Sequence, residues 1–320
     1  MGMKICVVGA GYWGSNHIKV LSEIKALGGI VEQNDSIRKR YLTQFPFLKC
    51  YSSVETALSN SNFDGFIVAT PSETHYSITK KIIMAGKNVL VEKPLTFSAD
   101  DAKELVQLSN KNNTSLMVGH VLLFHPAIRQ IKKLICDGKI GSLQYIYSNR
   151  LNLGQVRTEE NVFWSLAPHD IAIFQYFVNE YPTYIQSLGS SFLQKNIQDS
   201  TLTYLKYDCG VEGHIFVSWL HPFKEHRLVV VGSKAMITFE DSKEGRPLKL
   251  YSKRFDMLNG IPEKVDGPVE LIHYDNKLPL TAEIEYFIAN MNNNNDMNIA
   301  NGEHAIEVIS ILEKASEQLN

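Results

Sequence analysis

Cysteine is scarce. Cys6, Cys50, Cys136 and Cys209 are the only four in 320 residues, and none belongs to a CxxC pair. That spacing offers neither a zinc site nor a disulfide framework, so the thiols are expected to be reduced and packed like small hydrophobes. Charge of one sign is lacking as well: the net charge is −2 and the basic residues are scattered, with no stripe to neutralise a nucleic-acid backbone. No apolar run approaches the roughly 18 residues of a membrane helix. The N-terminus enters a strand pattern directly, without the layout of a signal peptide. Nucleic acid and membrane are therefore not expected as partners, and the location expected is the cytoplasm. No internal repeat is visible. The stretch "IANMNNNNDMNIANGEH" at 288 to 304 reads as a polar loop between two amphipathic helices.

With 44% hydrophobic and 21% charged residues, the chain has apolar material for two ordinary domains. In the N-terminal part, short apolar runs at "KICVV", "GGIVE", "DGFIVAT", "NVLVE" and "SLMVGH" alternate with segments of helical spacing. Such alternation predicts a doubly wound parallel sheet with helices on both faces over residues 1–121. From residue 122 the pattern changes. After a helix at "HPAIRQIKKLICDG" and a buried helix around 166–178, consecutive strand-like runs follow, including "PTYIQSLGS", "STLTYLKYD" and "HRLVVVG". This predicts an α+β domain over 122–320 with a largely antiparallel open sheet. Tyr204, Phe216, Val217 and Trp219 suggest that its open face is covered, either within the subunit or by a second copy in a homodimer or homotetramer.

"GAGYWG" follows the first strand directly and opens a helix. There Gly9 permits a tight turn, Gly11 lets a pyrophosphate approach the backbone, and Gly14 lets the helix pack closely. Gly9, Gly11, Tyr12, Trp13 and Gly14 are thus candidates for contact with a dinucleotide. Glu32 ends the second strand, where a carboxylate bonds an adenosine ribose and repels a 2′-phosphate. NAD is accordingly expected over NADP, although Arg38 and Arg40 stand nearby and offer the opposite preference.

"GAGYWG", "ATPSETHY" at 69–76, "AGKNVLVEKPL" at 85–95 and "VGHVLLFHPAI" at 118–128 together resemble the Gfo/Idh/MocA oxidoreductase family. Of these the EKP element is the most specific. "RLNLGQVRTEENVFWSLAPHDIAI" at 150–173 is similar to the nucleotide-sugar members, above all the UDP-N-acetylglucosamine 3-dehydrogenases. The resemblance implies NAD-dependent oxidation of the C3 hydroxyl of a UDP-N-acetylhexosamine to a ketone, in bacterial surface-polysaccharide or lipid A precursor synthesis. The alternatives on the same scaffold are a nucleotide-ketosugar reductase or polyol dehydrogenase, an NAD-dependent glycosidase, and a non-catalytic NAD-binding regulator.

The resemblance implies that Glu92 and Lys93, in an EKP turn with a cis Lys93–Pro94 bond, contact the cofactor. It also implies that Thr70, Pro71 and His75 flank the nicotinamide, though His75 reads equally as packing under its loop. Lys93 at a strand's C-terminal end suits a group that accepts or relays a hydroxyl proton. His169, which reads as lying in the first turn of its helix just after Pro168, is the second catalytic candidate, and Asp170 a structural partner for another residue. Candidates for the substrate are Lys93, His120, Arg150, Asn152, Arg157, Ser165 and His169. Ser165 stands where many members carry Asp, and Phe124 and His125 stand where they often carry Arg and Asn. No ligand spacing for a metal is present.

Overall fold

The computed structural model describes residues 2–60, 62–158, 160–292 and 297–319; most of the asparagine run therefore lies outside the described residues. The chain divides into two compact units, Met1–Phe124 with Lys277–Ile309, and His125–Asn276 with Ser310–Asn320. Residues 277–309, assigned from sequence to the second domain, cluster with the first.

The first unit is built from β1 (Ile5–Val8), α1 (Tyr12–Glu23), β2 (Leu27–Val31), α2 (Asp35–Gln44), β3 (Lys49–Tyr51), α3 (Val54–Asn60), β4 (Gly65–Val68), α4 (His75–Met84), β5 (Asn88–Glu92), α5 (Ala99–Lys111) and β6 (Leu116–Gly119). The six strands form one parallel sheet in the order β3-β2-β1-β4-β5-β6. Every residue of β1, β4 and β6 is buried, which is why these strands read as continuous apolar runs rather than alternating ones. Each buried Ile, Leu or Val there contributes about 1.5–3 kcal/mol relative to exposure. Side-chain caps set the helix starts: Asn34 accepts from Ser36 and Ile37 N–H before α2, and Ser98 accepts from Asp100 and Asp101 N–H before α5.

The second unit contains α6 (Pro126–Cys136), β7 (Leu143–Leu153), α7 (Val162–Val178), β8 (Tyr184–Ser190), β9 (Ser200–Lys206), β10 (Glu212–Ser218), β11 (Leu220–Gly232), β12 (Met236–Glu240), β13 (Leu248–Tyr251), β14 (Arg254–Leu258), β15 (Ile261–Val265) and β16 (Val269–Leu271). Eight of these strands form one sheet in the order β16-β13-β12-β11-β7-β10-β9-β8. All its pairs are antiparallel except β7 with β10. β14 and β15 form a separate hairpin. None of the strands from β13 to β16 was expected from sequence; in β14, β15 and β16 nearly every residue is exposed, so no buried-face alternation marks them.

α7 packs on β7, β9 and β10. It starts at Val162, capped by the Asn161 side chain, so Pro168 lies inside the helix and His169 lies well past its first turn. The proline suggested a start from sequence, but the cap and the buried Val162 and Phe163 carry the helix through it. Val217 and Trp219 belong to the core, with Trp219 Nε1 donating to Asp199 Oδ1 at 2.6 Å; they do not contribute to the open face. Two further helices, α8 (Pro279–Asn290) and α9 (Gly302–Ser316), end the chain. Among the described residues no helix is long and apolar enough to cross a membrane.

Candidate active site

In the first unit, Glu32, Gly9, Lys93 and His120 each follow the last residue of a parallel strand, and Thr70 lies two residues past the end of β4. The sheet order makes them neighbours in that sequence along the C-terminal edge. The order reverses between β1 and β4, the switch point at which such sheets bind ligands. Adjacent strands lie about 4.8 Å apart, so Lys93 is roughly 10 Å from the glycine turn.

The turn itself demands glycine. Gly9 has φ +89°, and a Cβ on it would stand 2.7 Å from the Ala69 carbonyl oxygen; a Cβ on Gly14 would stand 1.9 Å from the Gly9 oxygen. Around Gly11, by contrast, a Cβ would meet nothing within 4 Å, so the loop is open on that side where α1 begins, and a helix N-terminus is where a pyrophosphate is received. Tyr12 and Trp13 are exposed beside it, their rings edge to face at 6.0 Å.

Glu32 turns its carboxylate onto this loop: Oε2 accepts from Ala10 N–H and Oε1 from Asn34 N–H, both at 2.9 Å. Arg38 is already engaged, donating to the Glu32 and Gln33 carbonyls and to Asp35 Oδ1. Arg40 lies over the Tyr41 ring. These residues fit a dinucleotide whose adenosine ribose meets Glu32.

Two cofactor assignments made from sequence are replaced by internal contacts. His75 is 1% exposed, with Nδ1 at 2.7 Å from the Pro94 carbonyl and Nε2 at 2.9 Å from the Thr70 carbonyl, so it packs under the loop. Glu92 Oε1 pairs with His17 Nε2 at 2.7 Å, and its Oε2 accepts weakly from Lys93 N–H at 3.3 Å. Buried polar groups must be satisfied, and here the nearest partners are protein atoms. The Lys93–Pro94 bond is cis. Thr70 accepts a hydrogen bond from Thr74 Oγ1, while Pro71 is exposed.

His120 does not line an open site. It is 3% exposed and its ring meets that of His304 edge to face at 5.4 Å. Burial first, then His304 and Lys93, push its pKa well below the ordinary value, so the ring is neutral. Phe124 is buried against Tyr286. His17, Glu283 and His304 were not singled out from sequence; the available signal was a lone polar residue on the apolar face of a helix, as in "SNHIKVL" and "TAEIEYF".

In the second unit, Arg150 and Asp170 form a buried bidentate pair, Nε to Oδ2 at 2.7 Å and Nη2 to Oδ1 at 3.1 Å. This replaces the sugar or diphosphate contact expected of Arg150, because a buried carboxylate requires its counter-charge. It supplies the structural partner expected for Asp170. His169 is half-buried on the same helix, one turn beyond the half-buried Ser165. Asn152 is half-buried at the end of β7, and Arg157 is exposed and pairs with Glu160 at 3.2 Å. His125 caps α6, its Nδ1 accepting from Ala127 N–H at 3.1 Å. Among the described residues no group of three or more His, Cys, Asp or Glu side chains is placed to hold a metal ion.

A family model described as "Oxidoreductase family, NAD-binding Rossmann fold" matches residues 3–120, and the Gfo/Idh/MocA C-terminal domain matches residues 128–238. The chain belongs to the Gfo/Idh/MocA family. It is an NAD-binding oxidoreductase, and its relatives include named sugar and polyol dehydrogenases. UDP-N-acetylglucosamine 3-dehydrogenase of Acidithiobacillus ferrooxidans is 24% identical over 291 residues, 89% of this chain and 88% of that protein. Its solved structure superposes with a TM-score of 0.86 over 100% of this chain and 98% of that one, at 20% identity. scyllo-Inositol 2-dehydrogenase (NAD(+)) of Bacillus subtilis is 25% identical over 249 residues, 73% of each chain. An oxidoreductase from Agrobacterium radiobacter, solved with NAD+, L-tartaric acid and magnesium, matches with a TM-score of 0.83 over 99% of this chain and 96% of that one, at 17% identity.

Proposed function

We propose that this Gfo/Idh/MocA member is an NAD-dependent dehydrogenase that oxidises the C3 hydroxyl of a UDP-N-acetylhexosamine, UDP-N-acetylglucosamine or its uronate. The 3-keto sugar would serve bacterial surface-polysaccharide or lipid A precursor synthesis, in the cytoplasm. The observation that carries the reading is Lys93 at the C-terminal end of β5, two strands from the glycine turn, in a chain that aligns nearly end to end with a UDP-N-acetylglucosamine 3-dehydrogenase.

NAD, bound along this edge, supplies the hydride acceptor. Gly11 would admit its pyrophosphate on the turn that Gly9 and Gly14 shape, with Tyr12 and Trp13 beside it, and Thr70 and Pro71 on the loop after β4 would flank the nicotinamide. Glu32 holds the ribose and disfavours a 2′-phosphate, and the engagement of Arg38 with carbonyls removes the nearest cation that would welcome one. NAD is the cofactor of this reading. Where His169 takes the hydroxyl proton, the Lys93 ammonium stabilises the alkoxide that develops; where Lys93 takes it, the side chain starts as the neutral amine and becomes the ammonium that stabilises the alkoxide. Asn152, Arg157 and Ser165 are the remaining candidates for sugar or diphosphate contacts. The protein acts as a homo-oligomer, a dimer or tetramer, through the open face of its antiparallel sheet.

Incubation with UDP-N-acetylglucosamine and NAD should yield reduced cofactor and a 3-keto product by mass spectrometry. Absence of both, even under single-turnover conditions, rejects this substrate class. Lys93→Met and His169→Ala should each lower kcat by about 100-fold or more, the range of a lost acid–base group, with the dissociation constant for NAD nearly unchanged.

A further inference from the structure

Lys93 stands between two residues that buried histidines grip. On its N-terminal side, the Glu92 carboxylate pairs with His17 at 2.7 Å and faces the N–H of Lys93 itself at 3.3 Å. On its C-terminal side, the Pro94 carbonyl meets His75 at 2.7 Å, and the other nitrogen of that ring meets the Thr70 carbonyl at 2.9 Å. His17 and His75 are 0% and 1% exposed, so neither ring reaches a ligand in solution.

Their places in the fold give the pairings meaning. His17 belongs to α1, which opens at the glycine turn, and His75 begins α4, just after the Thr70 loop. Both helices start on the edge at which the dinucleotide is read to bind, and each sends one imidazole to the lysine turn. The carboxylate of Glu92 is confined further. A Cβ on Gly119 would lie 3.1 Å from its Oε2 and 3.2 Å from the Glu92 Cα, a tight approach on that side. Glu283 of α8 adds a wholly buried carboxyl group, without a hydrogen-bond partner among the described residues. Burial first, then the charge of Glu92, raise the pKa of Glu283 well above its ordinary value, which makes it an uncharged neighbour.

We infer that His17 and His75 are positioning residues for Lys93, fixing the turn on both of its sides through the Glu92 carboxylate and the Pro94 carbonyl. They tie the place of the lysine to the dinucleotide turn of α1 and the loop after β4. The inference rests on the reading of Lys93 as a group that acts on the substrate hydroxyl. A reacting group displaced by about 1 Å costs on the order of 100-fold in rate, so such a clamp belongs to kcat rather than to cofactor affinity.

The test uses the full chain with His17→Ala, His17→Gln, His75→Ala and His75→Gln. Both alanine variants should lose about 30-fold or more in kcat while the NAD dissociation constant, measured by fluorescence without sugar, moves less than about threefold. The glutamine variants, which can still donate to the same oxygens, should recover part of the loss. A second readout needs no substrate: with ¹³C-methylated lysines, the resonance assigned by its absence from Lys93→Met should shift towards that of a free lysine in both alanine variants. If no UDP-sugar is turned over, the functional reading fails and the resonance still decides the clamp. An unmoved resonance, or an NAD affinity that falls in step with kcat, overturns the inference. Should an alanine variant not fold, Glu92→Ala removes the link between His17 and the turn and must shift the same resonance.

Discussion

At the scale of single residues, the buried ionisable groups have separable consequences. Glu283 has its pKa raised by burial and by Glu92, so its folded value exceeds its unfolded one. For an acid that sign means a contribution to stability that is complete below the unfolded pKa and is lost as pH rises through the folded value. Glu283→Gln is therefore expected to raise Tm at mildly alkaline pH, with the gain shrinking in acid. A domain of this size moves about 2–4 °C per kcal/mol, so the gain should be a few degrees by calorimetry; a difference constant with pH would refute the assignment. The Arg150–Asp170 pair carries the opposite lesson. Arg150→Met alone leaves a buried carboxylate without its cation and should cost about 3–5 kcal/mol in urea unfolding, whereas Arg150→Met with Asp170→Leu should recover much of it. Sequence reading found Asp170 in need of a partner from its apolar surroundings. It could not name Arg150, because the partner lies across the sheet-to-helix packing rather than along the chain.

At the scale of elements, the strand-turn-helix opening was legible because its chemistry is local. Gly9, Gly11 and Gly14 follow an apolar run directly, and the structure assigns steric demands to Gly9 and Gly14 and an open side to Gly11. Glu32 is bonded to the same loop, through Ala10 N–H. Glu32→Ala should lower kcat/KM for NAD by about tenfold or more, the worth of a charge-assisted hydrogen bond, and narrow the gap to NADP. Equal loss with both cofactors would remove Glu32 from the selectivity. α7 shows the limit of local rules. Pro168 removes one backbone donor and normally costs about 3 kcal/mol inside a helix, yet the helix runs from Val162 to Val178 because its apolar faces are buried on the sheet. Pro168→Ala is accordingly expected to raise Tm, and a fall would mean that the proline sets a bend on which packing depends.

At the scale of the whole molecule, the open side of the eight-stranded sheet presents Tyr184, Leu188 and Leu202, each more than 40% exposed, alongside Tyr204 and Phe216. The registers Leu188 to Leu202 and Leu202 to Phe216 place Leu188, Leu202 and Phe216 side by side. On the proposed reading that a homo-oligomer forms through this patch, Leu202→Glu should lower the mass measured by light scattering towards that of the monomer; an unmutated chain that is already monomeric would reject the reading, and an unchanged oligomer would move the interface elsewhere.

Sequence by itself determined the parallel sheet, the dinucleotide turn, the place of Lys93 at a strand end and the switch to antiparallel strands. All of these follow from periodicity, from glycine spacing and from residues that are neighbours along the chain. Tertiary structure decided what the polar residues touch. His75 and Glu92, which look like cofactor ligands beside their motifs, are held by Pro94, Thr70 and His17, and Arg150 is held by Asp170. The physical reason is shared: a polar group removed wholly or partly from water must find a partner, and the fold brings one from another element.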